Sequence, residues 1–496
     1  MQNQKPVNLI VDARLRINRD HLDPDTVSEL RKMFTRTNPQ FFKMQRMGFW
    51  TGQTEREIRS YRVDEPFLSL PRGAMDRIRE FLESRGYTIH AIYDRSLKLE
   101  RLKLDLKLEL RPYQVEAADA LANSGNGILR GPCGSGKTVI LLGAIARLKQ
   151  PTLIIVHTEA LMRQWASMIS EWLGFVPGKL GGKNKTTVRP ITIGMQQTIW
   201  RHAKDDPAWA KEFGCIVGDE VHHWAARTFQ IAADMFPAAY RIGASASEKR
   251  KDGMEYLIYD TFGPCLHEIY REDLVEIKKL LPIKMYLVKT DYEDLDYLEE
   301  IEMGSNANWV GMINRITEDP DRNALILKTV LAVLDKDPTH RVLMLTERVK
   351  ACTDWQEIIQ SCGHKCGIMV GGSENNETVQ SSITQLRHGS IRVAVGTKIA
   401  DEGLDIPQLT HVILTCPVHN HPKRLEQMAG RAARTYEGKQ RASAIYFWDY
   451  SMFPTPALPE DSPFKLINRK KAFFRSLKQA CAELYLWNPA GTVEKL

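Results

Sequence analysis

The 496-residue chain lacks any apolar run approaching the eighteen or so residues that a membrane-spanning helix needs. Its opening residues, MQNQKPVNLIVDARLRI, lack the short apolar core of a secretory signal. Cysteine is sparse: eight are scattered along the chain, which speaks against a disulfide framework and for a reducing compartment. The expectation is a cytoplasmic protein with no membrane partner. Internal repeats at a fixed period of 20 to 50 residues and low-complexity tracts are also missing. Neither charge sign dominates, the net being +7, but the charge is unevenly placed. Residues 1–111 hold twenty-two Lys and Arg against sixteen Asp and Glu, and residues 463–496 hold seven against two, so the middle is slightly acidic. Basic flanks around a near-neutral centre fit a polyanion partner, or simply solvated basic faces.

What is present is length and alternation. A chain this long exceeds one hydrophobic core, so two to four domains are expected. Short β-like runs (VNLIVDARLRI) precede a predicted helix in GAMDRIREFLESRG, where Met75, Ile78, Phe81 and Leu82 fall at helical spacing. LKLERLKLDLKLEL, residues 97–110, alternates at period two and predicts a half-buried strand or hairpin arm. A helix opens at Pro112. Strand-like runs then alternate with helical patterns: NGILRG, TLIIV, ITIGM, CIVGDE and YRIGAS, followed by PIKMYLV, RVLMLT, KCGIMVG, IRVAVGT, HVILT and ASAIYFW. That alternation predicts parallel sheets with helical crossovers, two sheets rather than one. EDLDYLEEIEMG near the joint reads as an exposed linker. FPTPALPEDSP reads as a linker to a basic terminal helix, INRKKAFFRSLKQACAELYLW, which serves as an accessory basic element or as plain packing.

Two stretches carry chemistry. GPCGSGKT, residues 131–138, sits between a strand and a helix and matches G-x-x-x-x-G-K-[ST]. Its backbone N–H groups, from Gly131, Pro132, Cys133, Gly134, Ser135 and Gly136 onward, would cradle phosphate oxygens, Pro132 itself having no N–H to give. Lys137 would neutralise the β- and γ-phosphates, and the Thr138 hydroxyl would ligate Mg²⁺. The second stretch is IVGDEVHHW, where Asp219 and Glu220 end an apolar strand and His222 and His223 follow. Two adjacent acids at a buried strand end need a positive partner. A metal held by acids and histidines together, a cation arriving with a ligand, and simple exposure are the three readings. The P-loop favours the second: Mg²⁺ arrives with ATP, Asp219 holds it, and Glu220 acts as general base on the attacking water. A zinc site of Asp219, His222 and His223 is disfavoured because adjacent histidines diverge. The pair Cys362 and Cys366 has no second pair and reads as two buried thiols.

With GPCGSGKT, DEVH and QMAGRAAR in this order, the sequence resembles the superfamily 2 helicases of the DExH type. The resemblance implies an α/β fold: two RecA-like P-loop domains with parallel sheets, plus a small N-terminal α/β DNA-binding domain. It implies boundaries at 1–95, 96–275, 276–455 and 456–496, with ATP between the two motor domains. RPYQ resembles the adenine-reading element, with Arg111, Tyr113 and Gln114 at the nucleotide. IIVHTEALMRQW resembles a motif that touches nucleic acid through Thr158, and TIGMQQTI one that does so through Gln196. ASAS resembles the coupling motif, with Ser245 and Ser247 keeping the hydroxyls. VGTKIADEGLDIP resembles the motif that brings Thr397 to nucleic acid and Asp405 to the nucleotide. Gln427, Gly430, Arg431 and Arg434 fill Q-x-x-G-R-x-x-R. The two arginines, three apart on a predicted helix, would share a face and act on the γ-phosphoryl group, together with Gln427. His222 would couple nucleotide state to the other motifs or be a plain hydrogen-bonded histidine; His223 has no assignment.

Within that superfamily the chain resembles the XPB-like helicases and the phage UvsW-type enzymes. Lys251-Asp252-Gly253 stands where those carry an R-D-G-type loop, with lysine for arginine. NPQFFKMQRMGFWTGQTEREIRSYR resembles the UvsW-type N-terminal segment, placing Trp50, Arg56 and Arg59 at DNA. Aromatics that instead form that domain's own core are a compatible reading. The resemblance implies an ATP- and Mg²⁺-dependent DNA helicase acting on branched or forked DNA by fork regression, Holliday-junction branch migration and D- or R-loop dissociation. It would be a monomer in the host cytoplasm if phage-encoded, with single-stranded-DNA-binding or recombination proteins as partners. RNA helicase and double-strand translocase activities remain open.

Overall fold

Alternating apolar side chains in the first hundred residues build one small sheet. The strands of this region are β1 (Lys5–Val11), β2 (Leu15–Asn18), β3 (Thr35–Thr37), β4 (Glu57–Arg59), β5 (Arg62–Asp64), β6 (Phe67–Leu70) and β7 (Tyr87–Asp94). Five of these form a sheet in the order β5-β6-β2-β1-β7, antiparallel except for β1 and β7. β3 and β4 make a separate two-stranded ribbon. Helices Pro24–Met33 and Met75–Ser84 close the core over Leu9, Leu15, Ile17, Leu30, Ile78 and Leu82. Asp23 caps the first helix by accepting from the Thr26 N–H at 2.7 Å. These coordinates come from a computed structural model that describes residues 5–46, 48–52, 54–181, 187–221, 233–246, 253–297, 309–370, 377–397, 406–417, 425, 428–449, 481–487 and 492–496.

The next sheet holds β8 (Asn126–Arg130), β9 (Thr152–Val156), β10 (Gly178–Leu180), β11 (Ile191–Met195), β12 (Cys215–Asp219), β13 (Tyr240–Ser245) and β14 (Cys265–Glu268). All seven run parallel in the order β10-β11-β9-β12-β13-β8-β14. Strands covered on both faces read as continuous Val/Ile/Leu runs, as they do here. A further sheet holds β15 (Ile283–Thr290), β16 (Val342–Leu345), β17 (Cys366–Met369), β18 (Val393–Gly396), β19 (His411–Leu414), β20 (Ala442–Asp449), β21 (Glu483–Trp487) and β22 (Val493–Lys495). Its order is β17-β18-β16-β19-β20-β15-β21-β22, parallel but for the last pair. These are two RecA-like domains. The chain divides into two compact units, Met1–Gly131 with Gly136–Ile269, and Tyr270–Leu496 with Pro132–Ser135. Among the described residues no helix is long and apolar enough to cross a membrane.

The N-terminal domain and the first RecA-like domain share a unit, and buried arginines join them. Arg72, 7% exposed, donates to the carbonyl oxygens of Asp12 (3.1 Å), Ala238 (2.5 Å) and Ala239. Arg241, 2% exposed, donates to Ala13 (2.7 Å), Phe236 (2.8 Å) and Ala233 (3.0 Å). Arg14 bonds Ser60, Ser69 and the Asp234 carboxylate. Burial pulls Arg72 down to about 10 and Arg241 to about 9, yet both stay cationic at neutral pH, held by carbonyl dipoles. Ile58, on β4, sits in the core of the RecA-like domain with Leu257 and Ile258.

Five sequence expectations need correction. Residues 97–110 form no strand. They run as an extended strap whose amides bond Pro237, Gln150, Lys149 and Trp172 singly. The period-two burial is real, with Leu104 1% exposed, but no neighbouring strand offers a ladder. In the expected terminal helix, Glu483–Trp487 is instead β21, where Leu484 and the aromatics extend the sheet beside β15. Residues 453–463 and the basic residues up to 480 lie outside the described residues. Cys362 is exposed, one residue past a helix end, whereas Cys366 is buried in β17. Within the expected exposed linker, Asp294 is 4% exposed and takes a two-pronged ion pair from Arg315 at 2.9 and 3.0 Å. Arg431 opens a single 3₁₀ turn, Arg431–Ala433, and Arg434 is already extended (φ −65°, ψ 137°), so the two do not share a helix face.

Candidate active site

Strand register sets the site. Asp219 at the end of β12 pairs with Ala244 of β13, and Ser245 pairs with Arg130 at the end of β8. The loop Gly131–Gly136 leaves β8 at that edge, and the Gly131 N–H donates to the Ser245 carbonyl at 3.1 Å. The start of the P-loop and the coupling strand are thus tied directly. In open parallel sheets this carboxyl edge is where ligands bind.

Asp219 is 3% exposed. Its carboxylate accepts from the Trp165 indole Nε1–H at 2.8 Å and from the Glu220 N–H at 3.0 Å. Burial, and then the neighbouring Glu220 charge, push Asp219 up to about 6; the Trp165 hydrogen bond and Lys137 oppose this. A buried acid in that state fits a hard divalent cation, which would restore its ionised form. Trp165 is fully buried on the helix Glu159–Trp172. The sequence reading passed over it, and its only signal was an apolar-face position in that helix.

Glu220 has φ +48°, a left-handed backbone that costs a non-glycine residue about 1 kcal/mol or more. The turn aims its carboxylate at Lys137, 3.7 Å from Nζ, and at the Ala246 N–H, 3.4 Å from Oε2. Lys137, 8% exposed, also donates to the Gly131 carbonyl at 3.1 Å. One carboxylate therefore reaches both the P-loop lysine and the segment after Ser245. Strain concentrated at one acid beside a buried lysine is a mark of a functional position.

The loop itself is shaped by two glycines, Gly134 (φ +85°) and Gly136 (φ +81°). A Cβ on Gly136 would lie 2.5 Å from Gln114 Nε2. Gln114 is 6% exposed, and its Oε1 accepts from the Arg111 N–H at 3.1 Å, capping the helix Pro112–Ser124. The expected base reader thus also lies close against the loop at Gly136. Tyr113 is half-buried, and burial raises its hydroxyl pKa. Pro132 and Ser135 are buried, while Cys133 and Thr138 are half-buried at the loop and the helix start.

In the second unit Arg431 is 8% exposed. The chain around Arg434 is clasped on two sides. The Leu281 N–H donates to the Ala433 carbonyl at 2.6 Å. Lys439 Nζ donates to the Arg434 carbonyl at 2.7 Å and the Pro407 carbonyl at 2.8 Å, bridging the ends of two of the expected motifs. Burial, with Arg434 nearby, lowers Lys439 to about 7. Sequence reasoning missed this lysine because its partners are main-chain atoms.

The remaining expected residues are spread out. Thr158 caps the helix Glu159–Trp172, accepting from the Leu161 N–H at 3.2 Å. Gln196 opens the helix Gln196–Asp205, and Thr397 follows β18. Trp50 is 74% exposed; Arg56 lies over the Phe42 ring at 5.6 Å, and Arg59 pairs with Glu57 at 3.3 Å. Asp405, Gln427, His222, His223, Ser247 and Lys251 lie outside the described residues.

The chain is similar to several known proteins. Residues 107–250 match the family model for the type III restriction enzyme res subunit, and residues 324–436 match the helicase conserved C-terminal domain. A probable helicase, D10, of Escherichia phage T5 is 28% identical over 63% of this chain; the match spans 65% of that protein's length. The DNA 3'-5' translocase XPB2 of Sulfurisphaera tokodaii is 27% identical over 62% of this chain and 75% of its own. Among solved structures, a fragment of a putative HsdR subunit of a type I restriction enzyme from Vibrio vulnificus superposes with a TM-score of 0.55 at 15% identity, covering 79% of this chain and 71% of that one. With the two family models matched in order, each on a RecA-like sheet, the chain resembles the superfamily 2 helicases, and among them the XPB-like members.

Proposed function

We propose that this protein is an ATP- and Mg²⁺-dependent DNA helicase of the DExH type that remodels branched DNA: regressed forks, Holliday junctions, and D- or R-loops. The observation that carries the hydrolytic half is the grouping of Asp219, Glu220 and Lys137 at the P-loop edge, with the strained Glu220 turned toward the lysine. In this reading Asp219 and Thr138 hold Mg²⁺, which screens the phosphate charge. Glu220 orients and deprotonates water, and Arg431 and Arg434 are the cations assigned to the transition state. For DNA, support comes from the relatives' names and from Trp50 and Phe49, 74% and 57% exposed in a segment whose sequence carries Lys43, Arg46 and Arg56. Double-strand translocation without strand separation is the second reading, favoured by the relative named a translocase.

The test is ATPase and product formation on forks, four-way junctions, D-loops, blunt duplex and matched RNA. Lys137→Ala and Glu220→Gln should abolish both readouts, by at least about a hundredfold in kcat. An active Lys137→Ala protein would sink the assignment. Triplex displacement without fork products would favour translocation.

A further inference from the structure

A groove of about 670 Å³ opens in the N-terminal domain, and no residue of the P-loop edge lines it. Three separate elements bring cations to it: Arg19 from the turn Arg19–His21, Arg31 and Lys32 from the last turn of the helix Pro24–Met33, and Arg59 from β4. Two acids share the lining, Asp20 and Glu57. Arg59 is engaged by Glu57 at 3.3 Å and Arg19 by Glu65. Among the described residues no ion pair engages Arg31 or Lys32, and both side chains are exposed. Arg31 lies over the Tyr61 ring, 5.2 Å from its centre, a contact that favours keeping the guanidinium at the groove.

We infer that this groove binds the phosphate backbone of a single-stranded arm of the nucleic acid, with Arg31 and Lys32 as its phosphate contacts. The reading rests on nucleic acid being the substrate, as proposed above. Cations converging on a concave groove suit a strand that can enter it, whereas a duplex presents a wide convex ridge. The arginine-tied junction with the first RecA-like domain makes the groove part of one body with the P-loop edge, so a strand held there moves with that domain.

The experiment is a salt titration of binding by the full-length protein to a short oligo(dT) and to a blunt duplex. Loss of two phosphate contacts in Arg31→Gln/Lys32→Gln should flatten the slope of log K against log salt for oligo(dT) by roughly 1.4, with the duplex slope unchanged. A charge-matched pair elsewhere, Lys328→Gln/Lys365→Gln, should leave both slopes as they are. An unchanged oligo(dT) slope, an equal change on duplex, or an equal effect of the matched pair would each overturn the groove assignment. If the unaltered protein binds neither probe, it is the nucleic-acid reading itself that fails.

Discussion

The indole of Trp165 donates a 2.8 Å hydrogen bond to Asp219, a carboxylate that burial and Glu220 have pushed up to about 6. An acid raised above its ordinary value favours its protonated form in the fold. That contribution to stability is complete below about pH 4 and is lost as pH rises through about 6. A cation needs the ionised form, so the acid limb of the ATPase profile should fall near pH 6. Trp165→Phe removes a donor that favours ionisation and should move that limb to higher pH, by about one unit. Measuring kcat/KM against pH in both proteins checks this; coincident limbs would mean that Asp219 does not set the limb.

Gly136→Ala should weaken nucleotide binding at least about tenfold, because alanine resists the left-handed backbone and its methyl group meets Gln114. Adding Gln114→Ala relieves the contact but not the backbone. The double variant should therefore recover affinity only in part, as read by fluorescent-nucleotide titration. Full recovery would show that backbone conformation is irrelevant there.

Arg72→Met keeps side-chain bulk and removes the donors to Asp12, Ala238 and Ala239. Two buried carbonyls and a partly buried one left without that partner should cost about 3–5 kcal/mol in chemical denaturation. Arg72→Lys should recover little, since an ammonium cannot reproduce the fork. A loss below about 1 kcal/mol would mean that the carbonyls find other donors.

Lys439→Met should lower kcat for ATP several-fold with KM little changed, since the lysine holds the main chain at Arg434 rather than nucleotide. Lys439→Arg, which can still donate to both carbonyls, should restore part of the rate. A rise in KM with kcat intact would instead place Lys439 in ground-state binding.

Legibility in the sequence followed the range of the interactions involved. GPCGSGKT and the Val/Ile/Leu strand runs are local patterns, and the helix over Met75–Ser84 follows from its own periodicity. Residues 97–110 show the limit: alternation specified which side chains face inward, while the absence of a neighbouring strand decided that no ladder forms. Arg431 and Arg434 share a face only if the helix continues, and it stops after Ala433. Trp165, Lys439 and Arg72 were invisible because each is defined by a partner 54, 32 or 166 residues away, and for Lys439 and Arg72 that partner is a carbonyl oxygen that every residue type carries.

The guanidinium-to-carbonyl seam also bears on how the protein can be dissected. Arg72 and Arg14 belong to the first hundred residues, but the acceptors and partners they satisfy, at Ala238, Ala239 and Asp234, belong to the segment running into β13. Excising residues 1–95 would leave those groups, and Arg241 without Ala13, facing water beside the strand that carries Ser245. A truncated protein that loses activity would report a frayed catalytic sheet as readily as a missing DNA contact. The N-terminal domain is a graft whose scar runs through the motor, and its role is separable only by point changes on its far surface.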